Sequence, residues 1–348
     1  MFTIKIQLIQ LFHELIFHEL DILMKNNTLS DLYLDTTYYT PVKITSVAFG
    51  LVLILLGMTG NTIILLGSIK YNAFRLDKVT VTLIQHLAVS DLASTIVLMI
   101  PSTIATMVDY WPFGYTFCKV HFYLILICGH SSVCHICALT TCKFVSLQKP
   151  FRAQLWGRKR GHLLAAAVWA WSVIPATILI IVNPDSIYYD NVRIACMYDF
   201  SDPVWKYLLP TVSFLMAMVP NIIVLVSTIG LITSAYQIAK RGRETVKWQG
   251  VLAALLVALV YSLTYSPHIV MNFMGNKYLH TDQANTKTKI SIIICGRLIL
   301  INYVSNVFIY TASINSFRKF LFEKVRPCGF TLISPHSQAA LLTAETRV

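Results

Sequence analysis

The chain has 348 residues, 56% of them hydrophobic and 13% charged, with 28 Lys and Arg against 16 Asp and Glu for a formal net charge of +12. Charged residues make up about a quarter of an ordinary soluble domain, so this composition excludes a soluble globular class. The excess of positive charge does not point to nucleic acid either, because the basic residues border long apolar runs and form no separate basic module.

The N-terminal tail, residues 1–43, comes first. Residues 1–24 read as a weakly amphipathic helix or as an extension upstream of a start at Met24. Within them His13-Glu14 is followed by His18, which leaves the i,i+4 helix face that zinc needs, so no metal site is expected. Asn26-Asn27-Thr28 is a glycosylation sequon with Asn26 as acceptor.

Seven apolar stretches follow, at about 44–69, 79–108, 120–142, 162–182, 207–239, 248–274 and 290–313. A hydrocarbon core of roughly 30 Å needs about 20 apolar residues in a helix, and each stretch reaches that length. Lipid offers no partner to a bare peptide group, and barrel strands would be shorter and alternating, so all seven are predicted to be helices. The expected fold is an all-α membrane protein, a seven-transmembrane bundle over 44–313. A tail over 314–348 would open with a short amphipathic eighth helix: Phe317, Phe320 and Leu321 interleave with Arg318, Lys319 and Lys324, a pattern suited to the membrane surface. Cys328 beyond it is a candidate for palmitoylation.

Positive loops stay cytoplasmic. One set of connections, with the C-terminal tail, carries 18 of the 28 basic residues, among them Lys143, Lys149, Arg152, Arg158, Lys159 and Arg160. The N-terminus is therefore expected outside and the C-terminus inside.

Five of the eight cysteines, Cys128, Cys134, Cys137, Cys142 and Cys295, fall within spans as small buried hydrophobes. Cys118 and Cys196 fall on the outer, oxidising side, where spacing leaves a bridge and two separate thiols equally open. Around Cys196, Ile187-Tyr-Tyr and Val192 to Tyr198 are β-prone runs about the pair Asp190-Asn191, which predicts a hairpin. Asp185, Asp190, Asp199 and Asp202 against Arg193 make that loop acidic, and it is either a solvated loop or a surface for a cationic or amide-rich ligand.

The polar residues inside the spans carry a resemblance. Gly60-Asn61, then Leu87-Ala-Val-Ser-Asp-Leu92, then Trp111-Pro-Phe-Gly114 with Cys118, then Trp169, Pro220, Pro267, and Asn306 with Tyr310 follow in order, one set per helix or loop. The chain thereby resembles the rhodopsin-like (class A) G-protein-coupled receptors over roughly residues 44–325. The resemblance implies a Cys118–Cys196 disulfide. It also implies a sodium ion at Asp91, held with Ser132, Asn302 and Asn306 beside Asn61; the alternative is a neutral or water-bridged carboxyl in a polar network. No other cofactor is implied. At the inner end, Cys142-Lys143-Phe144 stands where the family has Asp-Arg-Tyr, and with Tyr310 it marks the expected G-protein-coupling site.

Other departures from the family pattern fall on the same transmission parts. Thr228 replaces a Tyr, Tyr265 a Trp, and Val307 the proline after Asn306. Cys142 removes the acid that in the family restrains the neighbouring cation, so Lys143 is expected to be less restrained, and a poorer contact than Arg. By family position the ligand pocket comprises Tyr123, Leu124, Ile125, Cys128, Tyr265, His268, Asn272, Arg297 and Ile301. Ile125 replaces the acid of amine receptors and Leu300 the retinal-binding Lys of opsins. Arg297 is equally open to accepting a ligand carboxylate or to snorkelling and pairing with a loop acid.

The resemblance implies a plasma-membrane receptor for an extracellular ligand, with a peptide favoured, acting on a heterotrimeric G protein. The alternative is a receptor-derived, non-signalling binding protein. A transporter would show related halves or paired broken helices. No nucleophile, base and orienting residue assemble at a recognisable spacing, so no enzyme and no catalytic residue is expected.

Overall fold

A computed structural model describes residues 36–149, 156–182, 185, 187–190, 195–198, 212, 216, 218–240, 248–279 and 286–325. Asn26, residues 1–24, Asp199, Asp202, Arg193 and Cys328 lie outside these, and Asn272 is described in its backbone alone. The chain divides into two units, Met1–Thr45 and Ser46–Val348; of the first, the described part is the opening of helix α1.

In chain order the elements are α1 (Thr36–Ile69), α2 (Lys78–Val108), α3 (Gly114–Gln148), α4 (Arg158–Val182), strands β1 (Ile187–Asp190) and β2 (Ala195–Tyr198), α5 (Val219–Lys240), α6 (Trp248–Leu279), α7 (Thr286–Ser313) and α8 (Asn315–Val325). Among the described residues, seven helices are long and apolar enough to cross a membrane. Most extend beyond the apolar run that announced them, α3 by six residues at each end. Hydropathy marks the hydrocarbon core alone, whereas hydrogen bonding continues wherever the chain can keep its i→i−4 ladder. For the fifth helix, the expected opening from 207 to 218 lies largely outside the described residues.

Helix α2 is not uniform. A π-helical turn, Thr95–Met99, separates Lys78–Ser94 from Ile100–Val108. Pro101 sits just after that turn. Proline cannot donate to the ladder and crowds the carbonyl one turn back, and a wider turn relieves both constraints. Helix α7, by contrast, runs unbroken past Val307. Val307 has the N–H that the family's proline lacks, and its side chain fills the space over Gly60, where an added Cβ would come within 2.8 Å of Val307 Cγ1. Gly60 is thus required by close helix packing.

The core of the second unit runs along α2, α3, α6 and α7, with Leu83, Ile84, Leu87, Ile136, Val257, Tyr261 and Tyr310 fully enclosed. Outward residues such as Leu55, Leu163, Ile181, Val226 and Leu263 are exposed although apolar, the arrangement lipid favours. Helix α8 packs back on the bundle through Phe317, which stacks on Phe74 at 4.5 Å between ring centroids and meets Tyr310 edge-on.

The expected hairpin is present. β1 and β2 pair antiparallel, with Ile187 opposite Tyr198 and Asp190 opposite Ala195. Asp190 is therefore a strand residue and not part of the turn; the connecting residues 191–194 lie outside the described ones. Cys196 of β2 is bonded to Cys118 of α3, and Ile187, Cys196, Phe122 and Leu179 form a small apolar cluster around the bridge.

Because the bridge is the covalent tie between the hairpin and the bundle, Cys118→Ser should reduce delivery to the cell surface and lower thermal stability, by about 2 kcal/mol or more. Mass spectrometry of surface-expressed protein should recover Cys118 and Cys196 in one disulfide-linked peptide pair; finding both as free thiols would contradict the assignment.

Candidate functional site

Three groups of residues occupy successive levels of the bundle. At mid-depth Asp91 of α2 is fully buried. Its carboxylate accepts from Ser132 Oγ of α3 at 2.5 Å and from Asn306 Nδ2 of α7 at 2.6 Å. Three helices thus converge on one carboxyl, which in lipid needs such partners because no water lies beyond the bundle to replace them. Asn302 is also buried, but the hydrogen bonds of Asp91 do not run to it. Asn61 serves a different joint: its amide donates to the carbonyls of Gly57 at 3.0 Å and Tyr303 at 2.9 Å, clamping α1 to α7. Ser90 adds a bond to the Cys128 carbonyl at 2.9 Å and a close contact with Ser131.

One oxygen in this network is unused. Asn306 Oδ1 is buried and has no hydrogen-bond partner, beside a carboxylate whose two oxygens each accept one bond. Carboxylate, amide and hydroxyl oxygens together are the donor set a hard cation takes, so the residues fit a small alkali ion.

At the inner end the expectation for Lys143 requires correction. Cys142 does remove the adjacent acid, yet Lys143 is not left unrestrained: its Nζ lies 2.5 Å from Asp77 Oδ2, and its side chain is only 7% exposed. Asp77 is the N-cap of α2. Its Oδ1 accepts from the Thr80 amide at 2.9 Å and its Oδ2 from the Thr80 hydroxyl at 2.8 Å, a favourable use of an acid at a helix start. One carboxylate therefore caps α2 and holds the α3 cation.

Burial raises the Asp77 pKa, but the charge and hydrogen bond of Lys143 and the bonds from Thr80 outweigh it and hold the carboxyl below its ordinary 3.8. The pair's stabilisation is thus present above that value and lost only as the pH falls through the lowered one, so the neutral range leaves it intact. Sequence reasoning missed this partner. The available signal was an acid three residues before Thr80 at a helix start, the sole acid in the first inner connection.

The other inner residues pack. Phe144 presses on α5 at Gly230, where an added Cβ would fall 2.6 Å from the ring. Tyr310 is buried edge-on to Phe74 at 5.6 Å, with its hydroxyl lacking a partner. Thr228 makes no inward tie of the kind a Tyr there would offer; Tyr261 of α6 supplies one instead, donating to Asn221 Oδ1 of α5 at 2.9 Å.

At the outer end the proposed pocket residues separate. Tyr265 stacks on Tyr261 at 5.1 Å and lies 6.1 Å from the His268 ring. Arg297 of α7 donates to Thr106 Oγ1 of α2 at 3.3 Å. Tyr123 is turned to α4, with its hydroxyl 3.0 Å from Thr177 Oγ1, so it braces the bundle. Ile125 is half-buried, and Cys128 is buried with its carbonyl engaged by Ser90. A further cluster had no signal in the sequence: His86 Nε2 meets His162 Nδ1 at 3.2 Å, His86 Nδ1 accepts from Trp169 Nε1 at 3.4 Å, and the His135 ring stacks on His86. Its members are scattered over α2, α3 and α4, and only the fold unites them.

The family model "7 transmembrane receptor (rhodopsin family)" matches residues 60–310. Among curated relatives, the D(1A) dopamine receptor of Didelphis virginiana is 28% identical over 142 residues, 40% of this chain and 31% of that protein. The alpha-1A adrenergic receptor of Bos taurus is 31% identical over 123 residues, 35% of this chain and 26% of that protein. The matched segment thus spans between about a quarter and a third of these relatives' length. Squid rhodopsin is similar in structure, with a TM-score of 0.68 at 18% identity, covering 88% of this chain and 92% of its own; at that identity the likeness concerns the fold.

If Asp77 restrains Lys143, Asp77→Asn, which keeps a capping oxygen but loses the charge, should lower the thermal midpoint by removing the ion pair, a loss of roughly 1–3 kcal/mol. Asp77→Ala, which removes the capping oxygen as well, should cost about 1 kcal/mol more. Equal stability of Asp77→Asn and the native chain in a detergent melt would show that the pair contributes nothing.

Proposed function

Since the chain belongs to the rhodopsin family of seven-transmembrane receptors, we propose that it binds an extracellular ligand and transmits a conformational change to a cytosolic heterotrimeric G protein. The observation that carries this reading is the family match over residues 60–310, which takes in the Asp91 network and the Lys143 site together. The proposed setting is the plasma membrane, with the hairpin and the disulfide outside and Lys143 with α8 inside, as the distribution of Lys and Arg favours.

Dopamine belongs to the relative that bears its name and is not carried over, because Ile125 stands where amine receptors of the family have an acid. A peptide is the favoured ligand class, on the strength of the aromatic hairpin with Tyr188 and Tyr189 tied over the bundle by Cys196. Transmission follows from population shift: a ligand that binds one arrangement of the outer helix ends more tightly favours that arrangement at the inner ends. The Asp77–Lys143 pair biases the resting arrangement, since it ties α3 to the start of α2 while Lys143 lies against α6 near Gly250.

A sodium ion at Asp91 would neutralise the buried carboxylate and engage Asn306 Oδ1. Sodium should then raise the thermal midpoint more than an equal concentration of a large organic cation, and Asp91→Asn should erase the difference. Identical melts of the native protein in both salts would rule the ion out in favour of a neutral carboxyl.

The signalling reading is tested by co-expressing the chain with a panel of G proteins and measuring basal activation at matched surface expression. Weak coupling is expected, because Lys lacks the planar fork of Arg and is held by Asp77. Lys143→Arg should strengthen coupling, and Asp77→Asn should raise basal activity severalfold. Failure of the native chain and of both variants to activate any G protein would leave a non-signalling binding protein as the function.

A further inference from the structure

We propose that Arg297 is the anchor for a carboxylate on the extracellular ligand; the inference rests on the receptor reading above and names the ligand's chemical class. Arg297 lies within α7, eleven residues after its start at Thr286 and nine before Asn306. A guanidinium stays charged at any pH the protein meets and presents five N–H donors in a planar fork. Among the described residues one of these donors is used, toward Thr106 Oγ1 at 3.3 Å, slightly longer than an ordinary N–H···O bond. Thr106 in turn donates to the Ser102 carbonyl at 2.7 Å, so its hydroxyl serves Arg297 only as an acceptor.

Among the described residues no acid pairs with the cation. The ion pairs among the described residues join Lys119 to Asp185, Lys143 to Asp77 and Lys319 to Glu323. An ionisable residue within a membrane span is costly and calls for a partner, and a fork with free donors best fits a carboxylate held by two parallel bonds.

The neighbours of Arg297 place it toward the hairpin end of the bundle. Thr106 lies two residues before the end of α2, and Tyr189 of β1 is within electrostatic range of the guanidinium. Tyr189 also packs on Trp111 at 5.5 Å. Arg297 therefore sits below the hairpin, at the end of the bundle that carries the Cys118–Cys196 bridge. The ligand this chemistry recognises is an acid group on an apolar or aromatic body: the C-terminal carboxylate of a peptide, or a long-chain organic acid.

The test is a thermal melt of the full chain in lipid nanodiscs with paired probes. One pair is dodecanoate and dodecanol, below micelle formation; the other is pools of hydrophobic hexapeptides with a free carboxylate or a C-terminal amide. At least one acid should raise the midpoint over its neutral counterpart by about 3 °C or more. Arg297→Gln should abolish that difference and Arg297→Lys should retain part of it. The pair that responds identifies the source of the carboxylate.

Without any probe, Arg297→Met should melt no lower than the native chain, because it removes a cation that has no acid partner among the described residues. A lower midpoint for that variant would make Arg297 a structural residue and overturn the proposal, as would equal effects of acid and neutral probes or no effect of either acid. These readouts are of binding and stability. A chain that binds the acid but activates no G protein would keep this inference and lose the signalling one, and the converse result would do the reverse.

Discussion

Lipid cannot hydrogen-bond to a peptide group, and the rest of this structure depends on that constraint. Every backbone N–H and C=O at membrane depth must find its partner within the same helix or against another. Seven long helices are the outcome among the described residues, and the irregular turn Thr95–Met99 of α2 stays hydrogen-bonded as a π-helical segment. The same constraint governs side chains. Threonine and serine hydroxyls in the spans return to the carbonyl one turn back, as Thr95 does to Asp91 and Thr106 to Ser102.

Against that background, polar groups that reach across helices are few, and they define the working parts. Asp91 gathers α2, α3 and α7 through Ser132 and Asn306, and Asn61 locks α1 to the backbone of α7. Tyr261 joins α6 to α5. Such bonds exchange for others only when helices move, because water is not at hand to take over a lost partner. A change at the outer pocket can therefore be felt at the inner face through a small number of discrete rearrangements.

The inner face shows how one residue's loss is offset by another's position. Cys142 leaves Lys143 without an adjacent acid, and Asp77, 66 residues earlier in sequence, takes that place at 2.5 Å. The substitution changes which helices are tied. An acid beside Lys143 would act within α3, whereas Asp77 couples α3 to the start of α2. Val307 is a comparable case. Losing the proline leaves α7 unbroken, and the valine's bulk is accommodated because position 60 of α1 is a glycine.

Several features followed from sequence without any coordinates. Apolar length dictated the number of spans and their approximate centres; amphipathic alternation marked α8; and two β-prone runs about a turn pair indicated the hairpin. These are local properties, set by the spacing of residue types along one segment. Helix ends, by contrast, ran past the apolar stretches, since caps and tertiary contacts carry the ladder beyond the hydrocarbon core. The family resemblance pointed to Asp91, Ser132 and Asn306 but also to Asn302, which is buried without bonding to Asp91.

Three arrangements were decided by tertiary structure alone: the Asp77–Lys143 pair, the histidine cluster about His86, and the seat of Arg297 against Thr106. In each the partners are far apart in sequence, 66 residues for Lys143 and Asp77 and 191 for Arg297 and Thr106. A charge in a single sequence shows that compensation is needed. Which group supplies it depends on how the helices pack.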